Sequence, residues 1–105
     1  MTGRVKLPYR ARNPKAFEEI AERLLAEGAD CRGRSIDCSS WRHVRVEYVE
    51  KRVYDRLSGL RLRLRVPVLV FEDGGRECRV EARWDGEFFT LECKALEGCC
   101  VTRGP

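Results

Sequence analysis

The chain contains no glutamine, one asparagine (Asn13), one histidine (His43) and one methionine, and its 21 basic residues include only four lysines. So few thermolabile amides in a sequence crowded with Arg and Glu is the profile of a hyperthermophile. No apolar run approaches the ~20 residues of a membrane helix, and no apolar signal segment opens the sequence. A cytoplasmic location is therefore expected. No catalytic or nucleotide-binding motif is present, and His43 has no cysteine or acid arranged with it as a nucleophile pair. An enzyme is not expected, and no cofactor is implied.

What is present first bounds the architecture. The 105 residues make one domain, 1–105, able to bury roughly 65% of its unfolded surface. Apolar residues form 43% of the chain and fall in periodic runs, which argues against disorder. The six cysteines lack the paired C-x₂₋₄-C knuckles of a zinc site, so no metal is expected. Disulfides involving Cys31, Cys38, Cys78 and Cys93 are the alternative: Cys78 and Cys93 meet across strands as core thiols or as a disulfide, and Cys31–Cys38, or the Cys99/Cys100 pair with another chain, are further candidate bridges. Disulfide-rich intracellular proteins are a feature of hyperthermophiles.

Asn13 as cap, Pro14 at the first helical position and Gly28 beyond the end predict a helix over Pro14–Glu27, with Phe17, Ile20, Ala21, Leu24 and Leu25 on its core face. Residues 29–40 read as a loop with a short strand at Arg34–Ile36. From Trp41 to Ser58 strand and helix periods compete. The Ser39/Ser40 cap candidates, the Glu47 to Lys51 pair and Gly59 favour a helix. The rest reads as a meander, with Arg4–Leu7 as a further opening strand. An Asp85-Gly86 two-residue turn pairs Cys78 with Cys93, Arg79 with Glu92 and Glu77 with Lys94. A three-residue Asp73-Gly74-Gly75 loop keeps Val66, Val68 and Val70 on the inner face and Leu69 and Phe71 on the outer. The expected fold is α+β: an antiparallel meander of three to four strands packed with two helices, and residues 96–105 as a flexible tail.

The net charge of +4 conceals strong polarisation. Residues 1–12 carry +4, residues 41–65 carry +5, and everything else carries −5. Aromatics interleave with the positive stretches, giving a candidate set of Tyr9, Arg10, Arg12, Trp41, Arg42, His43, Arg45, Tyr48, Arg52, Tyr54, Arg56, Arg61, Arg63 and Arg65. Cations that track phosphates and rings that stack bases at ~1–3 kcal/mol each are how single-stranded nucleic acid is held. The plainer readings are that Trp41, Tyr48 and Tyr54 pack against the sheet, and that Arg61, Arg63 and Arg65 form an ordinary solvated strand face.

Trp41, Tyr48 and Tyr54 among Arg42, Arg45, Arg52 and Arg56, followed by the alternating Leu60–Arg65 segment, resemble the DNA-binding domain of the archaeal ThermoDBP-related single-stranded DNA-binding proteins. The resemblance implies a cleft with an aromatic, apolar floor and basic walls, in a symmetric homo-oligomer. The sequence carries no leucine-zipper heptads, so it looks like the related group that shares the domain and assembles differently. The expected function is sequence-tolerant binding of single-stranded DNA, with RNA as a second candidate, by a dimer or tetramer. The rival expectation is an oligomeric scaffold or accessory subunit that binds an acidic protein partner.

Overall fold

Phe17, Ile20, Ala21 and Leu24 recur at helical spacing, and their burial seats the helix on the core. The large apolar side chains among them contribute roughly 1.5–3 kcal/mol each. The computed structural model describes residues 3–103. In chain order these form β1 (Val5–Lys6), β2 (Tyr9–Ala11), α1 (Ala16–Glu27), β3 (Ala29–Cys31), β4 (Arg34–Asp37), β5 (His43–Asp55) and β6 (Leu60–Asp73), then β7 (Arg76–Glu81), β8 (Arg83–Trp84), β9 (Phe89–Leu91), α2 (Cys93–Glu97) and β10 (Val101–Arg103). Asn13 caps the turn that leads into α1, its side-chain oxygen accepting from the Lys15 N–H at 3.0 Å. Gly28 ends α1 at φ +76°, donating to Leu24 O at 2.9 Å, and any side chain there would overlap the Ile36 carbonyl.

The fold is α+β and sheet-rich. Its three sheets have the orders β1-β3-β4-β10, β2-β9-β8 and β5-β6-β7, and all pairings are antiparallel except that of β1 with β3. Phe17, Leu24, Ile36, Leu69, Phe71, Phe89, Leu91 and Leu96 form the centre of the core.

Residues 41–58 are not a helix. They enter β5, whose ladder with β6 runs unbroken from His43↔Glu72 to Asp55↔Leu60. Four valines, two tyrosines and a long alternating partner strand favour the pleated form, and pairing overrides the local helix cues. Those cues serve other turns: Asp37 Oδ1 accepts from the Ser39 N–H at 2.9 Å, and Gly59, at φ +72°, closes the ribbon tip.

Both hairpin registers differ from expectation. The β6–β7 turn has two residues, since Asp73 pairs with Arg76 and both Gly74 and Gly75 have positive φ, as a primed turn requires. Phe71 then opposes Cys78 and Leu69 opposes Val80, so Leu69 and Phe71 face the main core. Val68 and Val70 point to the other face, yet they are buried as well. The aliphatic stems of Arg45, Glu47, Arg79 and Glu81, their cross-strand neighbours, cover them. A single inner face was the wrong premise, because all six residues from Val66 to Phe71 are buried.

The last hairpin turns over four residues, with Trp84 opposite Phe89. Asp85 Oδ1 accepts from the Glu87 and Phe88 N–H groups at 2.9 and 2.8 Å and so builds the wider turn. The expected Arg79–Glu92 and Glu77–Lys94 pairs are therefore not neighbours, and Arg79 instead binds Glu47 at 2.8 Å. Pro67 explains why β7 ends where it does. It accepts from the Ala82 N–H at 3.0 Å but has no N–H to return, so the ladder stops and the chain leaves for β8.

Cys93 opens α2 instead of pairing with Cys78. The disulfides are Cys31–Cys93, Cys38–Cys100 and Cys78–Cys99, so all four expected cysteines are bridged, with different partners, and Cys99 and Cys100 bridge within the chain and not to another one. Residues 96–103, expected within a tail, hold the end of α2 and the strand β10, tied down by Cys99 and Cys100. Residues 104 and 105 of that expected tail lie outside the described residues.

Candidate functional site

Alternation along the β5–β6 ribbon sorts its charges onto two faces, because directly opposed residues share a face. On one face, near the β7 end, Arg45 pairs with Glu47, Glu72 and Glu77, Arg79 pairs with Glu47 and Glu77, and Lys51 pairs with Glu81. The carboxyl of Glu47 is held below its ordinary range by hydrogen bonds from Arg79 and then Arg45, and the Arg45 guanidinium is pushed further up by Glu72 and Glu47. This lattice is internally neutralised.

The opposite face, toward the ribbon tip, is different. Tyr54 opposes Arg61, Arg52 opposes Arg63 and Glu50 opposes Arg65. All are exposed, and Tyr54 keeps 57% of its surface in solvent. Among the described residues none of Arg52, Arg61, Arg63 and Arg65 makes an ion pair, although Arg65 lies 4.9 Å over the Tyr48 ring. Like charges directly across a strand pair repel, and Arg52 faces Arg63 without a neutralising acid. Glu50 is the single acid on this face, which leaves it with a charge of +3.

The tip itself is braced against the β8–β9 turn. Arg56 N–H donates to Gly86 O and Trp84 Nε1 to Tyr54 O, both at 2.8 Å. Asp55 is only 3% exposed. The Ser58 hydroxyl and backbone N–H, with Arg12 3.5 Å away, hold its carboxyl below the usual range. Leu57 and Leu60, on this braced turn, remain 67% and 60% exposed.

The remaining expected site residues scatter. Tyr9 packs edge-on against Phe17 in the core, at 5.3 Å between ring centroids. Arg10 binds Asp85 at 2.6 Å, and Arg12 lies over Trp84 and reaches Glu87 O. Trp41 is half-buried, its indole N–H donating to Cys99 O at 2.7 Å and its ring under Arg76. Arg42 and His43 are exposed, but at the far end of the ribbon from Arg52 and Arg63. Tyr48 is half-buried and donates to Glu18; burial, then that carboxylate, pushes its hydroxyl up to about 12. Arg56 stands at the tip, its stem against Gly86. The structure thus gathers Arg52, Tyr54, Arg56, Arg61, Arg63 and Arg65, with Tyr48 at the inner margin, and leaves out Tyr9, Arg10, Arg12, Trp41, Arg42, His43 and Arg45.

Leu57, Leu60 and Asp55 escaped the sequence reading, although Asp55 with Ser58-Gly59 carried the chemistry of a turn. No cysteine is free to act as a metal ligand or nucleophile, and among the described residues no cluster of His, Cys, Asp and Glu could hold a metal. Among those residues no helix is long and apolar enough to cross a membrane. Comparison with protein-family models, curated proteins and solved structures finds no match.

Proposed function

We propose that the chain binds single-stranded nucleic acid, DNA foremost and RNA second, through the arginine row of the ribbon, with little regard to sequence. The observation that carries this reading is Arg52 opposite Arg63, flanked by Arg61 and Arg65, with no ion pair among the described residues. The other face of the same ribbon neutralises Arg45, Arg79 and Lys51 with four glutamates. A bound polyanion would relieve the repulsion between Arg52 and Arg63. Arg61, Arg63 and Arg65 recur every second residue, about 6.7 Å apart, a spacing comparable to that of consecutive phosphates along one strand. Tyr54 supplies a ring for a base, and base faces are open only where the strand is unpaired. A homo-oligomer would bring two such rows together and lengthen the site. Three disulfides in an amide-poor chain suit a hyperthermophile cytoplasm.

Titration of a labelled mixed-sequence oligonucleotide, single-stranded and duplex, tests the reading. Four phosphate contacts predict a log–log salt slope of about −3, hence roughly a fiftyfold loss of single-strand affinity between about 50 and 200 mM salt. Absence of single-strand binding at the lower salt, with retention of an acidic polypeptide, would favour the accessory-subunit alternative.

A further inference from the structure

The ribbon tip has a feature that phosphate binding leaves unused. Leu57 and Leu60 stand in solvent although the turn that carries them is firmly held: Gly59 N–H donates to Asp55 O at 2.8 Å, Ser58 N–H to Asp55 Oδ2 at 3.1 Å, and Arg56 N–H to Gly86 O. A loose loop could fold two leucines onto the body, but this one is pinned with both of them outward. Arg56 and Arg61 flank the leucines, and Tyr54 stands directly across from Arg61. Asp55 is the acid within the turn, and it is buried beside Arg12. The patch is therefore apolar at its apex and cationic around its rim.

We propose that this tip is a wedge that enters nucleic acid at a junction between single and double strand, Leu57 and Leu60 displacing the terminal base pair while Arg56 and Arg61 hold the flanking phosphates. This inference rests on the single-strand reading above and adds a substrate structure to it. Apolar side chains inserted at a base step unstack it and gain the burial that solvent denies them. The unpaired cations select a polyanion as the occupant, and the leucines require one whose apolar faces can be opened. The end of a duplex offers both: stacked bases to cover the leucines, and an emerging single strand to continue along Arg61, Arg63 and Arg65. The geometry is continuous, since β6 leads directly from the tip into the arginine row.

The test uses a forked duplex carrying a fluorescent adenine analogue at the junction base pair, with the plain single strand as reference. The wild-type protein should bind the fork more tightly than the single strand and raise the analogue's fluorescence as the base unstacks. Leu57→Ser with Leu60→Ser should lower fork affinity by about tenfold or more for each leucine that is buried in the junction and abolish the fluorescence change. Its single-strand affinity should stay within about twofold. Both leucines are exposed, so folding should be preserved, and Leu57→Met with Leu60→Met should retain fork preference. Arg52→Ala with Arg63→Ala should weaken fork and single strand alike. Equal binding of fork and single strand by the wild type, an unchanged fluorescence response in the serine variant, or capture of the tip by anionic vesicles in place of the fork would each overturn the wedge. Failure of the single strand to bind at all would overturn the parent reading, and the wedge with it.

Discussion

Replacing Arg52 and Arg63 together by alanine should move binding and stability in opposite directions. Each phosphate contact on a single strand contributes about 0.7 to the log–log salt slope, which corresponds to about fivefold in affinity at 0.1 M salt. Loss of two contacts should therefore weaken single-strand binding by roughly 25-fold and reduce the slope from about −3 to about −1.4. The same change removes two like charges that face each other across the ladder with no acid between them. Stability should rise by a few tenths of a kcal/mol, since opposed like charges are destabilising on that scale. Fluorescence anisotropy at several salt concentrations gives the slope, and denaturant unfolding gives the stability. Arg52→Lys with Arg63→Lys should retain most of the affinity, since the contact is mainly electrostatic. An unchanged slope, or a variant destabilised by more than about 1 kcal/mol, would show that these arginines serve the fold and not a ligand.

Trp41→Ala should leave single-strand affinity within about twofold but cost about 2 kcal/mol in denaturant unfolding, because the half-buried indole packs on Phe71 and donates to Cys99 O. Asp85, whose carboxyl is held down at about 2 by the Phe88 and Glu87 N–H groups and then by Arg10, contributes stability above its unfolded value near 4 that is lost as pH falls toward 2. Asp85→Asn should accordingly be less stable than wild type by about 1 kcal/mol at pH 7, after allowance for solvent screening, and the gap should close at pH 2. In the Cys31–Cys93 and Cys38–Cys100 pair, each of sequence separation 62, either bridge closes the long loop once the other is absent. Removing one should cost about 3 kcal/mol, and removing both about 1 kcal/mol more than the sum of the single losses, as chain entropy dictates. Strict additivity in unfolding titrations would refute that account.

Helix α1 was legible because its apolar period and its Gly28 stop lie within one short segment. It starts at Ala16, two residues after the expected Pro14, because Asn13 caps the turn before it and not the helix. The arginine row was legible as well, since alternation between leucine and arginine is a local pattern. Residues 41–58 were misread because strand and helix periods coexist there, and the ladder that decides between them comes from β6, a separate segment. Trp41 and Arg45 entered the candidate site on composition. Trp41's partner Cys99 and two of Arg45's three partners, Glu72 and Glu77, lie 58, 27 and 32 positions away, beyond any local pattern, and only Glu47 is a near neighbour of Arg45.

The sequence by itself determined that the chain is α+β, where α1 ends, that its charge is polarised, and that arginines alternate with leucines before Val66. These follow from neighbouring residues through periodicity, capping and charge. Tertiary structure decided which arginines are neutralised and which stand free, which cysteines meet, and that six consecutive residues of β6 are buried on both faces. Register and long-range pairing set those outcomes: a shift of one residue exchanges the faces of a strand, and an ion pair or disulfide exists only where two distant segments are brought within a few ångströms.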